Sequence, residues 1–342
     1  MKINKIIAVL FLLLTIIANG FSQEKVTLSG TITAANSNET VIGANIVIKS
    51  IPAYTTTNEY GFYSITIPKG NYKIEISSIG FQTKEFNVDL NKNTKLNVSI
   101  SENSEELQEV IITEKKTTNT QKAEMSVNKL SIATIKKMPV VLGEVDVLKS
   151  LLLLPGVTNA GEGASGFNVR GGGADQNLVL LDEATIYNSS HLFGLFSVFN
   201  PDAIKDLKLY KGGIPARYGG RLSSVLDIYQ KEGNKNDFHM NGGIGLISSR
   251  ILAEGPIVKG KGSFVVAGRA SYAHLFLKLV DNPNLAYFYD LNTKLSYDID
   301  DQNKLFLSGY FGRDTFNLGE VFGNTFGNTT LNLRWNHLFN DT

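Results

Sequence analysis

The stretch that decides the fold runs from Asn168 to Ile228: NVRGGGADQNLVLLDEATIYNSSHLFGLFSVFNPDAIKDLKLYKGGIPARYGGRLSSVLDI. Three short β-like runs, Asn177–Leu181, Leu207–Tyr210 and Ser223–Ile228, alternate in it with glycine turns at Gly171–Gly173, Gly212–Gly213 and Gly219–Gly220. Glycine is expected where a chain must bend sharply or let another backbone approach. Neither a nucleophile–base pair nor a metal-ligand spacing appears among these residues. Just upstream, Leu142–Leu154 carries a helical stripe of Val145, Leu148 and Leu152, with Glu144 and Lys149 off it, and Pro155-Gly156 stops it. Asn200-Pro201-Asp202 reads as a helix start: an Asn cap, Pro at the first helical position and an acid in the first turn. The order of strands, short helices and glycine turns predicts a small mixed α+β domain over residues 126–236.

Outward from that block, the N-terminus sets the compartment. Lys2 and Lys5 precede an apolar run, Ile6–Ala18, followed by small residues at Gly20 and Ser22. This is the layout of a secretory signal peptide over residues 1–22, cleaved after Gly20 or Ser22. The run is shorter than the roughly 20 residues that span a bilayer as a helix. The sequence has no cysteine, which excludes a lipoprotein anchor, disulfides, thiol catalysis and thiolate metal sites. Its 33 basic and 32 acidic side chains nearly balance, so nothing in the charge points to nucleic acid.

Residues 23–101 read as a small β-sandwich. Val26, Leu28, Gly30 and Ile32 alternate with polar residues, and Val41–Ile48, Phe62–Ile67 and Tyr72–Ser77 follow as strands. The polar reversals TNEYGF and PKGN separate them, the pattern of a Greek-key sandwich. Residues 102–125 form a polar linker that carries one short β-branched run, Glu109-Val110-Ile111-Ile112-Thr113. That run is either the last strand of the sandwich or a strand kept free for a partner to pair with.

From residue 237 to 342 the pattern changes to long hairpins. Tyr289, Leu291, Thr293, Leu295, Tyr297 and Ile299 alternate with Asp290, Asn292, Lys294, Ser296 and Asp298. Leu305, Leu307, Gly309 and Phe311, then Leu331, Leu333, Trp335 and Phe339, repeat the alternation, as do Phe264, Val266, Ala270 and Tyr272. Such lengths suit tilted membrane strands. About six strands are countable by pattern, far short of the roughly 22 of a plugged barrel. The expectation is therefore an N-terminal piece of a longer protein, because an open sheet in lipid would leave unpaired edges.

Two motifs tempt other readings. Gly161–Gly166 matches G-x-G-x-x-G, but a loop precedes it and strand and turn follow, so no dinucleotide cofactor is expected. Asp298, Asp300 and Asp301 sit at a tight hairpin, where Asp and Asn commonly shape turns, so no metal site is expected. The four histidines are scattered and no catalytic residue set emerges; the protein is not read as an enzyme.

The Asn168–Ile228 block resembles the plug domain of TonB-dependent outer-membrane receptors of the Bacteroidetes type. The run from GTITAAN through IPKGNYKIEISSIGFQT resembles the carboxypeptidase regulatory-like domain, with Thr57-Asn58 where that family more often has Thr-Asp. The resemblance implies a mainly β chain: sandwich, α+β plug, and the first strands of a transmembrane β-barrel. It makes Glu109, Val110, Ile111, Ile112 and Thr113 the TonB box. Arg170 and Gly171 match the plug signature, and with Arg217 and Arg221 they are read as plug anchors to barrel-wall carboxylates, against the alternative of solvated turn residues. The loop His191–Phe196, with His191, Phe193 and Phe196, is a possible ligand face, though such runs are more often core. The implied partners are TonB with its inner-membrane ExbB-ExbD-type motor, outer-membrane lipid, a scarce nutrient, and a surface lipoprotein. The sandwich and box would face the periplasm. The alternative reading is a periplasmic or surface binding or adhesion module without transport.

Overall fold

The computed structural model describes residues 24–103, 126–138, 144–161, 166–272, 274–275, 278, 284–319 and 321–339. The expected signal peptide, the run Glu109–Thr113, Leu142 and residues 162–165 of the glycine motif lie outside them.

The N-terminal domain holds eight strands: β1 (Lys25–Ala34), β2 (Asn45–Ile48), β3 (Ala53–Thr56), β4 (Phe62–Pro68), β5 (Gly70–Ser77), β6 (Lys84–Leu90), β7 (Thr94–Lys95) and β8 (Val98–Ile100). Strand β1 pairs antiparallel with β4 and parallel with β7 and β8; the second sheet runs β3-β2-β5-β6. The two sheets face each other across Leu28, Ile32, Ile46, Ile48, Ile74 and Ile76, all without exposure to solvent. Apolar alternation predicted this sandwich, and the longer strands β1, β2, β4 and β5 turn apolar residues inward.

The middle domain begins with β9 (Val127–Ser131), α1 (Ile132–Ile135) and α2 (Val147–Leu151). Strands β10 (Val157–Asn159), β11 (Phe167–Val169), β12 (Asn177–Leu181), β13 (Ala184–Thr185), β14 (Ser190–His191), β15 (Phe196–Ser197), β16 (Ile204–Tyr210) and β17 (Ser224–Gln230) follow. The central sheet has the order β13-β12-β17-β16-β9, with β12 parallel to β17 and the other neighbours antiparallel. Its core gathers Val147, Leu151, Phe167, Val179, Phe199, Leu207, Leu226 and Ile228.

Two local expectations change here. The helix expected over Leu142–Leu154 is a short one, Val147–Leu151, capped by Asp146, whose carboxylate accepts the Lys149 N–H at 3.0 Å. Asn200 does not start a helix. Its side chain accepts the Asp202 N–H at 3.0 Å and its carbonyl accepts from Ala203, closing a single turn before β16. The run after it, IKDLKLY, buries five of its seven residues between β17 and β9, and that sheet pairing overrides the local start signal.

The last six strands are β18 (His239–Ile244), β19 (Ser248–Val258), β20 (Gly262–Ser271), β21 (Leu285–Asp298), β22 (Asn303–Leu318) and β23 (Phe322–His337). They form one antiparallel sheet in sequence order, as the hairpin pattern predicted. Among the described residues, no helix is long and apolar enough to cross a membrane.

Candidate functional site: the seam between the middle domain and the C-terminal sheet

On the two strands β21 and β22 of the C-terminal sheet the buried side is mostly polar. On β21, Asp290, Asn292, Lys294 and Ser296 are at most 4% exposed, while Tyr289, Leu291, Leu295 and Tyr297 are 40–44% exposed. On β22, Ser308, Tyr310 and Asp314 point inward while Leu307 and Phe311 point out. A half-buried sheet in water has the opposite sign. An apolar outer face with a polar inner one is the alternation of a membrane barrel.

The inward side chains meet the middle domain through buried ion pairs. Arg269, on β20, is the hub: its guanidinium contacts Glu144, donates to Asp290 at 2.5 Å and 3.0 Å, and donates to the Ser197 carbonyl at 2.7 Å. Its charge also lies over the Phe288 ring, 5.1 Å from the centroid. Beside it, His191 places Nδ1 2.7 Å from Asp314 and Nε2 3.1 Å from Asp290, and stacks on Phe288 with centroids 4.2 Å apart. The Leu192 N–H donates to the other Asp314 oxygen at 2.8 Å. Further along the seam, Arg250 donates to Asp202 at 2.6 Å, and Lys294 donates to Asp182 at 3.1 Å. The seam is not fully paired: both amide atoms of Asn292 and one oxygen of Asp290 have no protein partner.

Charge pairing moves several ionisations in the middle domain. Burial pushes Asp202 up, but Lys136 and Arg250 outweigh it and hold the carboxyl below its ordinary value. Burial likewise opposes the charge on Glu232, and Lys205, Lys294 and Lys235 overcome it and hold that carboxyl down. At Asp206 burial wins and raises the carboxyl to about 6, despite Lys208 and Lys129 nearby.

The residues expected as anchors sit elsewhere. Arg170, in the left-handed region at φ 51°, donates to Ser126 Oγ at 3.0 Å, where the chain enters β9; Gly171 follows at φ 83°. Arg217 pairs with Glu59 of the sandwich at 2.7 Å and donates to the Tyr210 and Tyr218 hydroxyls. Arg221 donates to the adjacent Gly220 carbonyl. Among the described residues none of the three hydrogen-bonds or ion-pairs with the C-terminal sheet; the ion pairs to these strands come from Glu144, Asp182, Glu183, His191, Asp202, Lys231 and Lys235 instead. The expected ligand face also changes. His191 and Phe196 are 1% and 3% exposed, packed against Phe288, because the seam supplies His191 with two carboxylates and Phe196 with an aromatic neighbour. Phe193 alone stays partly exposed, its ring edge-on to Phe316 with centroids 5.1 Å apart. At the aspartate hairpin, Asp300 accepts from the Gln302 and Asn303 N–H groups and builds the turn, and Asp298 pairs with Lys235. Sequence reading noted Asp290 and Lys294 as polar alternates but missed Arg269 and Glu144, whose roles no local spacing signals.

Residues 28–112 match the CarboxypepD_reg-like domain, and residues 119–224 match the TonB-dependent Receptor Plug Domain. The chain carries both of these domains of a TonB-dependent receptor. The middle domain, over residues 119–224, is thus the plug. The TonB-dependent receptor P3 of Formosa agariphila is 27% identical over 137 residues, which is 40% of this chain and 14% of that protein. Among solved structures, the siderophore receptor PirA from Acinetobacter baumannii is 20% identical, covering 56% of this chain and 32% of that one, with a TM-score of 0.43. The alcaligin outer membrane receptor FauA from Bordetella pertussis is 14% identical, covering 64% of this chain and 37% of that one, with a TM-score of 0.47. The chain therefore spans about a third of the length of these two solved receptors.

Proposed function

We propose that this chain is the N-terminal part of an outer-membrane receptor that takes up a scarce nutrient with energy delivered through TonB. The observation that carries the reading is the inverted polarity of β21 and β22. Their buried polar residues face the plug and their apolar residues face outward, which suits a wall with lipid on one side and a plugged lumen on the other. Among the described residues the six strands form one sheet whose edge strands are β18 and β23, and lipid tolerates only closed sheets, so further strands would complete the wall.

The same strands support an orientation. The short turns 259–261 and 299–302 lie at the sandwich end, where Lys235 links the Ser37 carbonyl, the Gly260 N–H and Asp298. At the other end two connections, 245–247 and 319–321, are equally short and one, 272–284, is long, and outer-membrane barrels carry their longer loops on the extracellular side. The sandwich and the run Glu109–Thr113 would then face the periplasm. There TonB would pair with that run as an added strand, and the ExbB-ExbD-type motor would supply the pull. A polar seam with unpaired atoms such as those of Asn292 suits a plug that seals yet can move. Among the described residues no set points to catalysis, and the transported molecule is left as a small nutrient or oligomer, with or without a surface lipoprotein.

Deleting Glu109–Thr113 from the complete receptor tests the reading. Uptake is expected to vanish while the protein still reaches the outer membrane. Undiminished uptake would remove the TonB assignment and favour a binding or adhesion module.

A further inference from the structure

The turn between β12 and β13 is built from the wrong residues for its shape. Asp182 and Glu183 form a two-residue hairpin loop between the pairs Leu181–Ala184 and Leu180–Thr185. Both lie in the left-handed region, with φ 46° and 71°. A loop of this kind favours Asn-Gly or Asp-Gly, because a second Cβ at positive φ is strained. Strain of this sort persists only where the surroundings over-determine it. Here three bodies do so.

From the plug, the Gln230 backbone and side chain donate to the Asp182 carboxylate at 3.0 Å and 3.2 Å. From the wall, Lys294 reaches the same carboxylate at 3.1 Å, and Asn332 donates to the Asp182 carbonyl. From the sandwich, the Tyr60 hydroxyl lies 3.5 Å from Glu183. Arg334 of β23 lies 3.5 Å from the same carboxylate, with its guanidinium 4.8 Å from the Tyr60 ring and 4.4 Å from the Phe306 ring. The neighbour of Tyr60, Glu59, is held by the plug residues Arg217 and Lys208 at 2.7 Å and 3.6 Å.

We propose that the Asp182–Glu183 turn is a coupling joint that makes docking of the sandwich and seating of the plug in the wall one cooperative event. Asp182 ties the plug to the wall, and Glu183 ties the wall to the sandwich. The strained backbone between them holds only while both sets of contacts stand. Withdrawing the sandwich removes Tyr60 from Glu183 and from the Arg334 guanidinium, which lowers the support for the turn. Loosening the plug removes Asp182 from Lys294 and carries Glu183 away from Tyr60. Such coupling is reciprocal: each event must favour the other by the same factor. The inference rests on reading β18–β23 as wall and makes no use of transport.

The test uses the complete receptor in lipid nanodiscs, with two readouts. Spin labels introduced by Lys92→Cys on the sandwich and Asp301→Cys on the wall turn report docking as a distance distribution. Hydrogen exchange of the β12 and β17 amides reports seating of the plug. Lys294→Met removes the turn's ion pair to the wall without touching the sandwich, and Tyr60→Ala removes the sandwich's contacts with Glu183 and Arg334 without touching Asp182. The expected result is that Lys294→Met raises the undocked sandwich population about fivefold or more, and Tyr60→Ala raises plug exchange by a similar factor. If Lys294→Met does not assemble, Asn332→Leu cuts the same link from β23. A plug that exchanges faster while the sandwich distance stays unchanged, or a sandwich that leaves while plug exchange stays unchanged, overturns the proposal. Loss of uptake is not a readout, so failure here is distinct from failure of the transport reading.

Discussion

The sandwich sheets and the wall sheet are written in the same two-residue alternation and bury opposite sides. In β1 the apolar Leu28 and Ile32 are fully buried; in β21 the apolar Leu291 and Leu295 are over 40% exposed while Asn292 is fully buried. What differs is the surface opposite. The sandwich sheets face each other across aliphatic side chains in water, so the hydrophobic effect drives the apolar side in. The wall sheet faces a plug lined with Glu144, Asp182, Asp202 and His191, so its polar side goes in and pairs. Alternation therefore identifies a strand, and only the neighbour identifies which side is the interior.

Substitutions can break this contrast, and the largest effect belongs to the seam. Arg269→Ala leaves Glu144 and Asp290 buried without their cation and should cost about 3–5 kcal/mol. Urea titration of the complete receptor, followed by Arg269-side tryptic protection of the plug, checks it. Lys49→Ala, which removes an exposed sandwich pair, should leave the midpoint unmoved. Next is the sandwich core, where Leu28→Ala should cost about 2–5 kcal/mol by opening a cavity between the sheets. The sharpest reversal comes from a charge on the outer wall. Leu291→Arg should cost about 2–4 kcal/mol in a bilayer, whereas Asn71→Arg, exposed on the sandwich, should stay within about 0.5 kcal/mol. Folding into vesicles at graded urea separates the two.

An acid titration of the plug gives a smaller effect with a definite sign. Asp206 is raised to about 6 by burial, so the folded plug binds a proton that the unfolded chain, at an ordinary 3.8, does not. Stability should therefore rise as pH falls from 7 to about 4, by at most about 3 kcal/mol. Glu232 runs the other way: held low by its lysines, it contributes stability above its ordinary value of 4.5 that is lost as pH falls further. Asp206→Asn should abolish the gain between pH 7 and 4 in a pH series of urea midpoints. Smallest of all, Leu291→Ala should change stability by less than about 1 kcal/mol, because lipid chains fill the space a core would leave empty. A cost equal to that of Leu28→Ala would mean that this face packs against protein.

The sequence made the strands legible and left their partners dark. Tyr289–Ile299 and its hairpin return were readable because side-chain direction in a strand depends only on parity, and the Asp300 turn because its contacts are three residues apart or fewer. The sandwich strands were readable for the same reason. Asn200-Pro201-Asp202 misled because its local start signal was sound, and β16 then found two neighbours in the sheet. The arginines show a related limit. A motif position such as Arg170 carries no information about which of several reachable groups it will meet, and it met Ser126.

By itself, then, the sequence determined the mainly β class and its described parts: a sandwich, a mixed α+β domain, and long alternating strands. These depend on hydrogen bonds and alternation that reach only a few residues along the chain. The tertiary structure alone decided that Arg269 pairs with Glu144, 125 residues away, that His191 bridges to Asp290 across 99, and that Glu183 lies against Tyr60 across 123. Charges attract through space without regard to sequence distance, so no spacing rule could have announced those pairs. They exist because folding brings a polar wall face and a polar plug face together away from water.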